Sequence, residues 1–116
     1  MKITPDFDSE EFECKCGCGF NSIDIGLVNR LQVIRDILNE PITVDCGCRC
    51  PAHNQSVGGE PNSYHLQGMA VDWTVDKESW KQLGRISKLL ENWSGGYHYY
   101  PDRHFIHIDV GPQRRW

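Results

Sequence analysis

Apolar residues between positions 23 and 38 recur at Leu27, Val28, Leu31, Ile34 and Leu38, the spacing that lays a single stripe along one side of a helix. Ser22 or Asp24 stands where a helix N-cap belongs, and Pro41 marks where the helix must have ended. The stretch I-T-V-D-C at 42–46 then predicts a short strand. It is followed by P-A-H-N-Q-S-V-G-G-E-P-N-S at 51–63, whose glycines, prolines and asparagines preclude long regular structure. A loop of that length in a small domain is commonly functional. M-A-V-D-W-T-V at 69–75 predicts a second strand, and a second helix is expected from about Lys77, with Trp80, Leu83, Ile86, Leu90 and Trp93 on one side and a stop at Gly95 and Gly96. Y-H-Y-Y at 97–100 and H-F-I-H-I-D-V at 104–110 predict two further strands joined by P-D-R. The class is α+β, a small antiparallel sheet with packed helices.

At 116 residues the chain has the size of one domain, spanning 1–116, with a modest core. The net charge of −4, with no clustering of lysine and arginine along the sequence, argues against nucleic acid as a partner. No apolar run is long enough to span a membrane, and M-K-I-T-P-D-F-D-S-E-E-F turns acidic where a signal peptide would turn apolar. The expectation is a monomer synthesised in a cytoplasm without a recognisable signal peptide. Six cysteines form two triplets, C-K-C-G-C at 14–18 and C-G-C-R-C at 46–50. Cys14, Cys16, Cys18, Cys46, Cys48 and Cys50 leave three readings open: disulfides between the triplets, a structural zinc site of thiolates, or plain thiols.

The stretch S-Y-H-L-Q-G-M-A-V-D at 63–72 carries the candidate chemistry. His65 ends the loop, Gly68 lets the backbone turn tightly, Ala70 leaves room, and Asp72 lies in the following strand, so the two polar side chains can converge. Imidazole and carboxylate are zinc ligands, and a catalytic zinc takes three protein groups and leaves a fourth position open. His107, in the last strand, is the third candidate. Each residue also has an ordinary reading, since strand histidines are commonly hydrogen-bonded core residues and an aspartate beside valine and tryptophan can simply pair with a donor.

S-Y-H-L-Q-G-M-A-V-D followed by F-I-H-I-D-V resembles the signature of the zinc D-alanyl-D-alanine peptidase family of peptidoglycan-cleaving enzymes, S-x-H-x-x-G-x-A-x-D and a later histidine. E-F-E-C-K-C-G-C, P-I-T-V, C-R-C-P-A-H-N, V-G-G-E-P-N-S and H-I-D-V-G-P-Q-R-R-W look like segments of its small single-domain branch, so the likeness covers nearly the whole chain. That branch includes bacterial carboxypeptidases and endopeptidases and phage lysins, and shares its α+β fold with hedgehog signalling domains. The resemblance implies one catalytic Zn2+ on His65, Asp72 and His107, and a zinc-activated water attacking an amide bond in the stem or cross-link peptides of peptidoglycan. It places the protein's action at the bacterial cell wall, with a phage or prophage product favoured.

The family's general base is a glutamate or aspartate, commonly three residues before the last zinc histidine, and that position here is His104. A histidine can serve as base or donor, but strand alternation points it away from His107 unless the chain bends near Phe105. Asp102, the nearest carboxylate upstream, sits in an apparent turn. Asp109 alternates onto the face of His107 and can orient it. The family places an arginine where Arg49 stands, and its planar fork suits the carboxylates of stem peptides. Ser63 is a candidate for substrate contact or for shaping the loop. Two rivals belong to other classes: a non-catalytic zinc-containing module that binds cell-wall peptide or protein, and a structural protein whose metal sits in the cysteine triplets.

Overall fold

The computed structural model describes residues 1–76, 83–100 and 103–115 of the chain. Lys77, Trp80, Asp102 and Trp116 lie outside the described residues. The chain begins with a hairpin, β1 (Lys2–Thr4) and β2 (Phe7–Asp8), followed by a 3-10 turn at Ser9–Phe12. Strands of three and two residues are too short to carry a periodic signal in the sequence. The turn nevertheless has a full capping box, in which the Asp8 side chain accepts from Glu10 N–H and the Asp8 N–H is returned to Glu11. Phe7 and Phe12 bury their rings against the main core.

The long apolar stripe forms α1 (Ile25–Leu38), capped by Asp24, which accepts from Leu27 N–H at 2.9 Å. Asn39 ends it with φ 53, a left-handed cap that asparagine tolerates better than most side chains. Leu27, Val28, Leu31, Ile34 and Leu38 are all buried. Beyond β3 (Thr43–Cys46), the loop segment holds a six-residue helix, α2 (Pro51–Ser56), with Cys50 at its N-cap and proline in its first turn, where a missing N–H costs nothing. β4 (Ala70–Thr74) leads towards α3 (Leu83–Leu90). This helix ends short of Trp93, which the sequence had placed on it; Trp93 N–H instead bonds the Leu90 carbonyl in a turn, and the indole N–H reaches the Asp109 carbonyl at 2.9 Å.

β5 (Gly96–Tyr100), β6 (Phe105–Asp109) and β7 (Arg114–Arg115) complete a five-stranded sheet in the order β3-β4-β6-β5-β7. Its ladders are antiparallel except where β7 runs parallel beside β5. Val71 pairs with Ile108 and Trp73 with Ile106, and these four side chains join the buried cluster with α1 and α3. Because alternate residues point to opposite faces, the residues between them, Asp72 and His107, belong to the sheet's other face.

Gly68 joins the two sides. With φ +67 it ends the 3-10 turn Tyr64–Gln67, its carbonyl accepts from Asp24 N–H at 2.7 Å, and an added Cβ would collide with the Ser22 carbonyl. Gly68→Ala is therefore expected to lose more than the ~1 kcal/mol of left-handed strain. Gly58→Ala, with φ +69 but open space around it, should lose about that strain alone. Urea denaturation of both variants checks the difference.

Candidate active site

A row of polar side chains crosses the sheet. Cys46 on β3 is registered with Asp72 on β4, Asp72 with His107 on β6, and His107 with His98 on β5. Directly opposed residues share a face and lie within reach of each other. His65 approaches this row from the 3-10 turn, whose N-cap Ser63 accepts from His65 N–H at 3.2 Å. Ser63 thus shapes the turn that presents His65.

Each imidazole is oriented through the nitrogen that faces away from Asp72. His65 Nδ1 lies 2.7 Å from the Gly47 carbonyl, which can only accept, so Nδ1 carries the hydrogen and Nε2 faces Asp72 Oδ2 at 3.3 Å. His107 Nε2 lies 2.8 Å from Asp109 Oδ2, and its Nδ1 faces Asp72 Oδ1 at 2.9 Å. Asp109 is fully buried and also accepts from Gly96 N–H, Gly111 N–H and Arg114. Burial opposes its charge, but the hydrogen bonds from His107 and the two backbone amides hold its carboxyl down at about 2. Asp109 is therefore an anchored carboxylate that fixes the tautomer and plane of His107.

One imidazole nitrogen therefore faces each oxygen of the Asp72 carboxylate, an arrangement that favours positive charge beside that carboxylate. Protons can serve. Burial works against a charged His65, yet hydrogen bonding to Asp72 and Cys46 lifts it to about 10, and His107 rises through Asp109 and Asp72 against the same burial. Asp72 is held well below the usual carboxylate range: burial pushes it up and the two histidines more than reverse that. A divalent ion can serve as well, since two nitrogens and one oxygen, with both histidines held from behind by an acceptor, suit zinc.

Arg49 enters from the segment after β3. Its N–H donates to the His65 carbonyl at 3.0 Å, its guanidinium donates to Asn54 Oδ1 and Cys46 Sγ, and it lies 4.0 Å from Asp72 Oδ2. Among the described residues its buried Nε has no hydrogen-bond partner. Together with Ser63, His65, Asp72 and His107 it lines an open cleft of about 780 Å³. Arg103, Arg114 and Arg115 line the same cleft. The arginines that are dispersed along the sequence therefore gather in space, a clustering that linear charge pattern did not reveal. Arg114 lies over the Tyr64 ring and Arg115 over Tyr97, while Arg115 also donates to the Trp93 and Gly95 carbonyls.

His104 stands apart. It precedes β6 with φ 55, a left-handed conformation uncommon for a side-chain-bearing residue, and the Thr74 hydroxyl donates to its carbonyl. Its exposed side chain lines a separate cavity of about 570 Å³ that Asp72 also borders. The chain bends at His104 itself, one residue before Phe105.

Two neighbours escaped the sequence reading of the centre. Cys46 had been grouped with the other cysteines, whereas its ligand atom, with those of His65 and Asp72, lies within 4.8 Å of the others. Its contact is with His65 Nδ1, at 3.7 Å, the nitrogen that Gly47 already occupies. Burial raises the Cys46 thiol, but His65 and Arg49 bring it below its ordinary value. His98, read from the sequence only as part of a strand, stands directly across the ladder from His107, with burial and the His107 charge depressing its basicity. Strand register locates both residues, and register is not readable from residue types alone.

A helix-backed sheet thus brings His65, Asp72 and His107 together in the lining of one cleft. The chain belongs to the Peptidase M15 family, whose profile matches residues 5–109. It is 36% identical over 91 residues to the probable peptidoglycan L,D-endopeptidase MepK of Haemophilus influenzae, covering 74% of this chain and 48% of that protein. It is 32% identical over 102 residues to the peptidoglycan L,D-endopeptidase MepK of Escherichia coli K12, covering 82% of this chain and 55% of that protein. The chain spans about half the length of the curated relatives it matches.

The protonated centre sets the stability of the metal-free protein. Raised histidines contribute stability that is complete below their unfolded value of about 6.5 and is lost as pH rises, for His65 towards 10. Lowered carboxylates contribute above about 3.9, a term lost as pH falls, for Asp109 towards 2. Urea midpoints of chelator-treated protein should therefore peak between about pH 4 and 6.5 and decline towards pH 9. His65→Gln should flatten the alkaline decline.

Proposed function

We propose that the protein is a zinc peptidase that hydrolyses an amide bond in the stem or cross-link peptides of bacterial peptidoglycan, acting at the cell wall. The observation that carries this reading is the convergence of His65 Nε2, Asp72 and His107 Nδ1, with the outward nitrogens held by Gly47 and Asp109. These three residues would hold the ion. When bound, zinc supplies Lewis-acid chemistry, polarising a carbonyl and making water acidic enough to attack near neutral pH.

The chain's own groups do the remaining work. Asp109 keeps His107 in one tautomer, so that the facing nitrogen is available as a ligand. Arg49, held by Asn54 and Cys46, orients a substrate carboxylate, and the other cleft arginines add a field that favours anionic stem peptides. As general base His104 would receive the water's proton from the side of Asp72 that borders both cavities and would return it to the leaving amine. The names of the relatives favour an endopeptidase over a carboxypeptidase that trims a terminal D-alanine.

A second reading, a zinc-containing binding module without catalysis, draws on one observation: position 104 carries an exposed histidine where the family has a carboxylate. Mass spectrometry of fragments released from purified peptidoglycan decides between them. Zinc-loaded protein should release peptides with new termini, and His107→Ala or chelator should reduce release by at least ~100-fold, since removing a ligand removes the Lewis acid. If intact zinc-loaded protein releases nothing from several wall types, the binding module stands and the peptidase does not.

Within the peptidase reading, Arg49→Ala should raise KM about tenfold, a ~1.4 kcal/mol loss, with a smaller change in kcat. His104→Ala should lower kcat by ~100-fold with little change in KM. Steady-state kinetics on a soluble stem peptide separates the two roles.

A further inference from the structure

We infer that Cys14, Cys16, Cys18 and Cys50 form a second metal site, a tetrathiolate that binds one zinc ion and staples the N-terminal loop to the segment bearing Arg49. Their four sulfurs all lie within 4.8 Å of one another. Cys14 and Cys16 are 3.5 Å apart at sulfur, and Cys16 and Cys50 are also 3.5 Å apart. Zinc–sulfur bonds of about 2.3 Å in a tetrahedron place sulfurs roughly 3.8 Å apart. A disulfide brings them to about 2.05 Å and leaves no reason for a third and fourth sulfur to gather around the pair. All six cysteines carry free thiols.

The local backbone favours this assembly. Gly17 and Gly19, with φ of 81 and 91 and open space around both, fold C-K-C-G-C back on itself so that alternate residues present sulfur to one point. Cys14 N–H bonds the Phe20 carbonyl at 2.8 Å, and Gly17 N–H bonds the Cys14 carbonyl at 3.2 Å, closing that loop. Two sulfurs act as acceptors from backbone amides: Cys50 N–H to Cys14 Sγ and His53 N–H to Cys50 Sγ, both at 3.4 Å. Amide donors aimed at sulfur stabilise thiolates, the form that binds metal.

The remaining cysteines belong elsewhere. Cys48 is buried in the core, and Cys46 faces His65. The two triplets therefore do not act as equals; the first contributes all three sulfurs and the second only Cys50. Two contacts already join the same segments on the other side, Cys48 N–H to the Phe12 carbonyl at 2.8 Å and Gly47 packed against Phe12. A bound ion would thus fix both ends of the stretch 47–50, which holds the carbonyl that orients His65 and the arginine of the cleft.

The test counts zinc in the full chain by elemental mass spectrometry. Wild type should hold two ions, His65→Ala one, and Cys16→Ser/Cys18→Ser one, both altered residues of the latter being exposed at the surface. Cobalt-substituted wild type should show an intense sulfur-to-cobalt charge-transfer band, retained in His65→Ala and lost in the double serine variant. Alkylation of the wild type read by intact mass should find the four thiols protected with zinc and reactive after chelation, which needs no variant. A wild type without the charge-transfer band, or with oxidised cysteines in place of chelator-releasable protection, overturns the site. Failure of the peptidase reading has a different signature, loss of one ion's binding to His65 or no fragment release, while the thiolate band persists.

Discussion

Asp72 and His107 face each other across a single ladder of the sheet, and that pairing constrains most of what surrounds it. Residues on either side of each, Val71 and Trp73 on β4 and Ile106 and Ile108 on β6, are committed to the core. A slip of one residue in this register would carry a carboxylate and an imidazole into the apolar cluster and expose the core residues in their place. The hydrophobic face therefore does more than stabilise the domain. It sets the position of Asp72 and His107 on the sheet, and the burial of their neighbours makes that position unique.

The third residue of the centre is held by different means. His65 belongs to a 3-10 turn and gains its place from hydrogen bonds: Ser63 beneath its amide, Arg49 N–H on its carbonyl, and Gly47 on its ring. The centre thus combines a rigid half, defined by strand pairing, with a half defined by loop hydrogen bonds. Without metal, the two halves are drawn together by protons shared between histidines and Asp72, which is why His65 is so strongly basic. A metal ion held there would compete with protons for the same lone pairs, so its uptake would release protons.

The sequence was informative where periodicity or motif spacing reports directly on local structure. The stripe of α1, the apolar alternation of β4 and β6, and the His65 to Asp72 spacing all fall in that group. It was silent where the information is long-range. The β1–β2 hairpin is too short for a pattern, and α3 ends before Trp93 because the indole is used to bond Asp109 across the chain. The arginine-lined cleft unites residues from position 49 to position 115, and the place of Cys46 beside His65 depends on register with β4. His104 illustrates the limit of strand logic: alternation holds only within the strand, and a residue with positive φ at its edge is outside that rule.

The N-terminal region is where structure and chemistry become interdependent. Phe12 packs so closely on Gly47 that a Cβ on the glycine would stand 2.9 Å from the Phe12 backbone. The same Gly47 carbonyl accepts from His65 Nδ1, so a displacement of the Phe12 turn would be transmitted through one residue to the imidazole. On the other side of this short segment, Cys50 sits beside Arg49 and caps α2, with its sulfur among those of Cys14, Cys16 and Cys18. Residues that precede the first long helix thereby support the seat of His65 and Arg49. In a chain of 116 residues, where the core is small, such tethers are a physically economical way to keep the loop that bears His65 in register with a sheet.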